Sequence, residues 1–132
     1  MLNDAYEGFH PLARVILQSC PSVWKWALVE RDPMPSWGEG RAIVIGDAAH
    51  PMLPYMAQGA GSSMEDAVIL ARCLNQRDFD DVAGALRQCE NNRKERTARI
   101  QLGASRNQWM RTAAATETDW VYGYDAWNVP LT

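Results

Sequence analysis

A strand, a glycine-rich loop and a helix follow one another between residues 41 and 75, and this unit constrains the fold more than any other segment. Residues 41–46 read RAIVIG, with three β-branched side chains in a row. A short, continuous apolar run is typical of a strand that is covered on both faces in a parallel sheet. Residues 46–62 show no periodicity, and a loop of this length in a compact domain is often functional. The unit therefore predicts an α/β fold with a functional loop after the strand.

The first half of this loop carries groups that suit a hydroxylated ligand. Gly46 permits a tight turn at the end of the strand, because it has no Cβ. Asp47 follows at the carboxyl end of the predicted parallel strand, where open α/β sheets bind ligands. Its carboxylate can accept hydrogen bonds from ribose-type hydroxyls. Pro54 fixes one φ angle and stiffens the loop. These residues predict a site for a polyhydroxylated molecule.

The second half of the loop carries Gly59, Ala60 and Gly61, which let the backbone pass close to a flat ligand. Ser62 and Glu65 then have capping-box spacing, which predicts a helix that begins near Ser62. The free N–H groups and the positive dipole end of such a helix stabilise nearby negative charge. We therefore expect a planar ligand that becomes anionic.

The remaining pattern predicts two further helices, one further strand and a docked tail. A helix is expected over residues 10–19, a strand over residues 23–31, and a long helix from residue 82 to about residue 115, capped by Asp80 or Asp81. Residues 119–132 read DWVYGYDAWNVPLT, which is too apolar for a free tail. The seam of the long helix is expected to hold Leu86, Cys89, Arg93, Ile100 and Ala104.

Charge and composition exclude several classes of protein. The net charge is −3, whereas a generic nucleic-acid-binding protein needs an excess of basic residues. No segment approaches the roughly 20 apolar residues that span a bilayer, so we expect no membrane partner. The three cysteines lie far apart, which disfavours a disulfide framework or a zinc site. They predict reduced structural thiols in a cytoplasmic protein.

Residues 46–67, GDAAHPMLPYMAQGAGSSMEDA, resemble the second flavin-binding motif of the FAD-dependent aromatic hydroxylases. The flanking segments agree with this resemblance: FHP at residues 9–11, KWALVERDPMPSW at residues 25–37 and DWVYGYDAWNVPL at residues 119–131. Within that family the chain is most similar to the salicylate hydroxylases and the 6-hydroxynicotinate 3-monooxygenases. The resemblance covers nearly the whole chain.

The resemblance implies an α/β fold, with the last strand and the C-terminal helices of a Rossmann-like FAD-binding domain plus the end of the substrate-domain sheet. Residues 1–36 would end the substrate-binding domain, and residues 37–115 would form the C-terminal part of the FAD-binding domain. Residues 116–132 would be an aromatic tail that docks on it. The pyrophosphate-binding G-x-G-x-x-G motif is absent from this sequence. The chain is therefore expected to be the C-terminal third of a longer enzyme, with the N-terminal part as its partner.

The resemblance also implies a role for each residue of the loop. Asp47 would bind the ribityl chain, and Pro54 would lie beside the flavin near C4a. The backbone N–H groups of residues 59–61 would face the N1–C2=O edge, while Gln58 and His50 would face the aromatic substrate. The implied cofactor-binding residues are Gly46, Asp47, Pro54, Gly59, Ala60 and Gly61. The implied catalytic residues are His50, Pro54 and Gln58, with no metal ligand.

The implied activity is hydroxylation of a small aromatic acid, salicylate-like or hydroxynicotinate-like, with FAD as cofactor, NADH or NADPH as reductant and O2 as oxidant. Two other functions stay open. The chain could be a non-catalytic remnant that acts as a helical interaction module through residues 82–115. It could also be a metal-dependent hydrolase that uses His50, although the acids near it match no metal-binding motif.

The same residues also have purely structural interpretations. Asp47 could cap a turn, and His50 could be a structural histidine bonded to backbone. Gln58 could brace the loop. Glu65 and Asp66 are most simply acids in the first turn of a helix, where they complement its dipole.

Overall fold

The computed structural model of this protein describes residues 2–78, 80–106 and 119–132. This part of the chain contains a two-stranded sheet and two short 3₁₀ turns, Gly46–Ala48 and Pro54–Met56. Its strands are β1 (Gly38–Glu39) and β2 (Ala42–Ile43). Its helices are α1 (Leu2–Ala5), α2 (Pro11–Gln18), α3 (Gly59–Asn75), α4 (Val82–Arg106) and α5 (Asp119–Tyr122). Among these described helices, none is both long and apolar enough to cross a membrane.

Helices α3 and α4 pack against each other and form the core. Ile69 and Cys73 of α3 meet Ala85 and Cys89 of α4, and Ala126 of the tail completes the cluster. The predicted seam of α4 is confirmed, because every one of its members is buried. Burial of the apolar face of α4 against α3 holds the two helices together.

All three cysteines are free thiols. Burial raises the pKa of the Cys73 thiol and, with the neighbouring Cys73 and Asp66, raises the pKa of Cys89 to about 12. Both thiols therefore stay protonated at neutral pH and pack as small apolar groups.

The predicted start of α4 is confirmed, whereas the predicted start of α3 is not. Helix α4 follows Asp81, whose Oδ1 accepts a hydrogen bond from Gly84 N at 3.0 Å, as predicted for a cap. The predicted continuation of this helix to residue 115 lies outside the described residues. The predicted start of α3 at Ser62 is wrong, because the helix begins at Gly59. Ser62 is buried, and Ser63 Oγ donates to Gly59 O at 2.9 Å, so the capping-box serines lie inside the first turns.

The sheet differs from the predicted parallel arrangement. Strand β2 pairs antiparallel with β1, with Gly38 opposite Ile43 and Glu39 opposite Ala42. A strand inside a parallel sheet has a neighbouring strand at each edge and packing layers on both faces. Within the described residues only this hairpin partner is present, and Val44 stays partly exposed. The Rossmann-like arrangement remains a prediction.

The predicted strand over residues 23–31 is wrong, since these residues have no regular secondary structure. Trp24 and Trp26 are 87% and 81% exposed, so these alternating side chains are not packed against a neighbouring element in the described part of the chain. The predicted helix after Pro11 is confirmed as α2, and His10 Nδ1 accepts from Leu12 N at its start. None of the residues of α2 is buried.

The tail at residues 119–132 lies across α3 and α4, held through its backbone. The Arg72 guanidinium donates to Ala126 O at 2.6 Å and to Val129 O at 2.7 Å. Asn92 Nδ2 donates to Thr132 O at 2.9 Å, and its Oδ1 accepts from Thr132 N at 3.1 Å. These contacts fix the end of the tail against the last turn of α3 and the middle of α4.

Candidate functional site

The turn that follows β2 is held in one conformation by its first residue. Gly46 has φ +60°, in the left-handed region, and its carbonyl accepts from the N–H groups of Ala49 and His50, both at 2.9 Å. A methyl group on Gly46 would lie 2.9 Å from Ser63 Oγ of α3. The position therefore requires glycine both for its backbone angles and for the close approach of α3.

Asp47 projects from this turn toward the beginning of α3. Its side chain is exposed, and a methyl group built on Gly59 would lie 3.8 Å from Asp47 Oδ1. The carboxylate thus stands beside the first residue of the helix, on an open surface. The structure brings together these two parts of the predicted cofactor site, which are twelve positions apart in sequence.

The N-terminus of α3 is open for a ligand. Its first helical hydrogen bond runs from Ser62 N to Gln58 O, at 2.8 Å, so the N–H groups of residues 59–61 have no partner within the helix. Gln58 occupies the capping position without a side-chain cap. Ala60 is exposed. Three N–H groups with no hydrogen-bond partner among the described residues, at the positive end of a 17-residue helix, therefore face the surface that carries Asp47.

Pro54 begins the second 3₁₀ turn and is exposed. The turn is fixed from the other side, because Tyr122 Oη donates to Met56 O at 3.2 Å and Met56 packs on Gly103 of α4. Gln58 is only 9% exposed, and its side-chain oxygen would lie 3.5 Å from a methyl group on Gly61. Pro54 is therefore open to a ligand, whereas Gln58 lies mostly under the start of α3.

His50 points away from this surface. Its side chain is 1% exposed, and its ring lies against Trp37 with 5.2 Å between the centroids. His50 Nε2 is 2.6 Å from Asp66 Oδ2. The structural interpretation predicted a backbone partner for this histidine, but the structure gives it a carboxylate instead.

Asp66 is the residue that sequence reasoning missed. It is fully buried, and besides His50 it accepts from Gly46 N at 2.9 Å and from Arg93 Nε at 2.7 Å. Arg93 is also fully buried and reaches Glu65 Oε2 at 2.7 Å. A signal existed in the sequence, because an arginine in the apolar seam of α4 must meet a buried acid.

The environment of Asp66 decides its charge. Burial acts to raise the pKa of Asp66, but the hydrogen bonds from His50, Arg93 and Gly46 outweigh it and hold the pKa below its ordinary value. Burial acts to lower the pKa of Arg93, but the hydrogen bond to Asp66 and the negative charges of Asp66 and Glu65 together raise it. The pair is therefore ionised throughout the physiological range.

The charged cluster extends to the tail. The Arg96 guanidinium meets both Glu65 oxygens at 3.0 Å and donates to Val121 O at 2.8 Å. It also lies over the ring of Tyr124, with 4.0 Å to the centroid. Glu65 and Asp66 thus serve as ion-pair partners, beyond the expected complement to the helix dipole. No group of three possible metal ligands occurs among the described residues.

Comparison with known proteins places the chain in a family. Residues 22–110 match the family model described as "FAD binding domain". The 6-hydroxynicotinate 3-monooxygenase of Bordetella bronchiseptica is 45% identical over 98% of this chain and 33% of its own length. The salicylate hydroxylase of Pseudomonas putida is 34% identical over 92% of this chain and 32% of its own length.

A solved structure agrees with these relatives. The crystal structure of CtdE in complex with FAD superposes with a TM-score of 0.67 at 33% identity, over 76% of this chain and 24% of that protein. The chain spans about one third of the length of the relatives it matches. The matched segment includes the turn at Gly46, the open start of α3 and the Asp66–Arg93 pair. The chain belongs to the FAD-binding domain family of the FAD-dependent aromatic hydroxylases.

Proposed function

We propose that residues 46–61 form one wall of an FAD site in an enzyme that hydroxylates a small aromatic acid. One observation carries this proposal: the exposed Asp47 carboxylate stands beside the open N-terminus of α3. FAD needs an acceptor for its ribityl hydroxyls and donors for the edge of the ring that becomes anionic on reduction. The two halves of the wall offer these groups on the same surface.

The residues fit the cofactor in distinct ways. Asp47 accepts hydrogen bonds from ribityl hydroxyls, and the N–H groups of residues 59–61 donate to the pyrimidine edge. The absence of side chains at Gly59 and Gly61 lets the ring approach this backbone. Pro54, exposed at the start of its turn, is proposed to shape the side of the site where substrate binds.

Two of the predicted catalytic residues take different places in this proposal. Gln58 lies beneath the start of α3, where it can orient the donors at residues 59–61. His50 is buried against Asp66, so we assign it to holding the turn that carries Asp47. A direct role of His50 toward substrate remains a prediction.

The proposed substrate class is supported by the similarity to the named relatives. A 6-hydroxynicotinate 3-monooxygenase and a salicylate hydroxylase each act on a ring that carries a hydroxyl and a carboxylate. Bound FAD supplies the redox chemistry, with NADH or NADPH as electron donor and O2 as the source of the inserted oxygen. The protein contributes placement of the rings and stabilisation of developing negative charge.

The chain alone offers only one wall of this site. Its relatives are about three times longer, and no G-x-G-x-x-G for the FAD pyrophosphate occurs in this sequence. We propose that a segment equivalent to the first two-thirds of these relatives completes the site. The 132-residue chain by itself is therefore expected to bind FAD weakly or not at all.

A titration of flavin fluorescence tests the proposed function. The chain is joined behind the first two-thirds of the Bordetella bronchiseptica relative, and the fusion is compared with the 132-residue chain. We expect one FAD per fusion protein and hydroxylation of 6-hydroxynicotinate or salicylate coupled to NAD(P)H oxidation. A folded fusion that binds no FAD would contradict the proposal, and tight binding by the chain alone would contradict the one-wall description.

The alternative of a helical interaction module finds less support in the geometry. Its proposed surface is the helix from residue 82 onward. The apolar seam of α4 is already covered by α3 and by the tail, and Arg93 within it is paired. The residues of α4 that remain exposed are mainly polar, which disfavours them as an apolar docking stripe.

A further inference from the structure

Asp66 connects the two halves of the proposed flavin wall. Its Oδ2 accepts from Gly46 N and is 2.6 Å from His50 Nε2, so it holds both ends of the turn that carries Asp47. Asp66 itself belongs to α3, seven residues after Gly59. The carboxylate therefore fixes the distance between the Asp47 turn and the helix that supplies the backbone donors.

We propose that Asp66 is the positioning residue of the FAD site: it sets the Asp47 carboxylate against the open N-terminus of α3. This inference rests on the proposed function. Asp66 touches neither substrate nor cofactor, because it is fully buried behind the turn. It acts through Gly46 and His50, and Arg93 supplies the charge that keeps it ionised in the interior.

An ionised carboxylate suits this task better than an amide. Three donors converge on Asp66, one at Oδ1 and two at Oδ2. An asparagine has one acceptor oxygen, so its NH2 group would face either the Arg93 guanidinium or the Gly46 N–H. In the first orientation the Arg93 guanidinium faces an NH2 group and loses its charged partner at residue 66. In the second, the contact to Gly46 N that shapes the turn is replaced by two donors facing each other.

The neighbouring Glu65 gives a matched control. It also pairs with Arg93, at 2.7 Å, and it additionally binds Arg96. No hydrogen bond or ion pair found for Glu65 within the described residues involves the turn at residues 46–50. Substitutions at Glu65 and Asp66 therefore disturb the same ion-pair cluster. Only a substitution at Asp66 also removes a direct contact to the turn that carries Asp47.

The test measures the FAD dissociation constant of the fusion protein by flavin fluorescence. We expect Asp66→Asn to weaken FAD about 10- to 100-fold, the loss typical of a hydrogen bond to a charged group. Glu65→Gln is expected to stay within about twofold of the wild type, because its bonds do not involve the turn at residues 46–50. In an Asp47→Ala background, Asp66→Asn should add less than about twofold, because the positioned group is already absent.

A second variant separates positioning from folding. Asp66→Leu combined with Arg93→Met replaces the buried pair by apolar side chains, an exchange that often preserves stability. We expect this double variant to keep its circular dichroism spectrum and still to lose FAD affinity about 10-fold or more.

The outcomes distinguish this inference from the proposed function. Equal FAD affinity in the wild type and a folded Asp66 variant would overturn the positioning role and leave the proposed function intact. Fully additive losses for Asp47→Ala and Asp66→Asn would also overturn it. So would unfolding of both Asp66 variants while Glu65→Gln stays folded, because Asp66 would then be a stability element only. A wild-type fusion that binds no FAD would overturn the proposed function, and this inference with it.

Discussion

Replacing Asp66 by alanine is expected to lower the free energy of unfolding by about 3–5 kcal/mol. The substitution leaves the Arg93 guanidinium fully buried with only Glu65 as its ionic partner among the described residues, and it removes the acceptor for Gly46 N and His50. A domain of this size is stable by about 5–15 kcal/mol, so the variant loses a large fraction of its stability. Urea unfolding followed by circular dichroism measures the difference.

Asp81→Ala provides the control for this prediction. Asp81 is also an acid that accepts from a backbone N–H, but it is exposed and caps α4. Its loss should cost about 1 kcal/mol, the usual effect of removing a helix cap. Equal costs for Asp66→Ala and Asp81→Ala would contradict the importance assigned to the buried pair.

The Asp66–Arg93 pair also makes stability depend on pH. Because the pKa of Asp66 is lowered in the folded protein, its contribution is complete above the unfolded value of about 3.9. The contribution is lost as pH falls through the lower folded-state pKa. Unfolding free energies measured between pH 6 and pH 2 should decline less steeply in Asp66→Asn than in the wild type. If the unfolding free energy of Asp66→Asn fell with pH as steeply as that of the wild type, Asp66 would not be ionised in the folded state.

Replacing Gly46 by alanine is expected to cost about 2–3 kcal/mol of stability. A left-handed backbone conformation costs an L-residue about 1–2 kcal/mol, and the new methyl group would lie 2.9 Å from Ser63 Oγ. The crowding would push the turn away from α3 and weaken the bond from Gly46 N to Asp66. Thermal or urea unfolding measures the loss.

Gly40 offers a matched control at nearly the same backbone angle. Its φ is +59°, but a methyl group there would meet nothing within 4 Å. Gly40→Ala should therefore cost only the conformational part, about 1–2 kcal/mol. The additional loss in Gly46→Ala should shrink when Ser63 is changed to glycine in the same protein. Equal losses at Gly40 and Gly46 would show that contact with α3 is unimportant.

The features that depend on local patterns could be predicted from the sequence. The periodicity of α3 and α4, the cap at Asp81 and the apolar seam are visible from neighbouring residues. The loop at residues 46–61 stands out because glycines, prolines and an acid at the end of a strand are together typical of a ligand-binding loop. These predictions need no knowledge of which elements pack together.

The wrong predictions depended on contacts between distant residues. The alternation around Trp24 and Trp26 indicates a strand only if a neighbouring strand exists, and the described residues provide none. Helix α3 begins at Gly59, before the predicted start, and the predicted cap Ser62 is buried in the interior while Ser63 packs against the turn at Gly46. Asp66 was overlooked because the helix dipole alone accounts for an acid early in a helix, whereas its partner Arg93 lies 27 residues away.

The central claim, that the Asp47 turn and the start of α3 together hold FAD, is tested most directly by one titration. The fusion protein is compared with a variant carrying Asp47→Ala and Gly61→Val. Asp47→Ala removes the carboxylate that accepts from the ribityl hydroxyls, and Gly61→Val places a side chain where the flavin ring would approach the backbone. Met64→Val, on the exposed side of α3, controls for a change in the same helix. We predict a loss of FAD affinity of about 100-fold or more in the double variant, because it loses one charge-assisted contact and gains a side chain that excludes the ring. The control should change by less than about twofold. Unchanged FAD affinity in a folded double variant would contradict the claim.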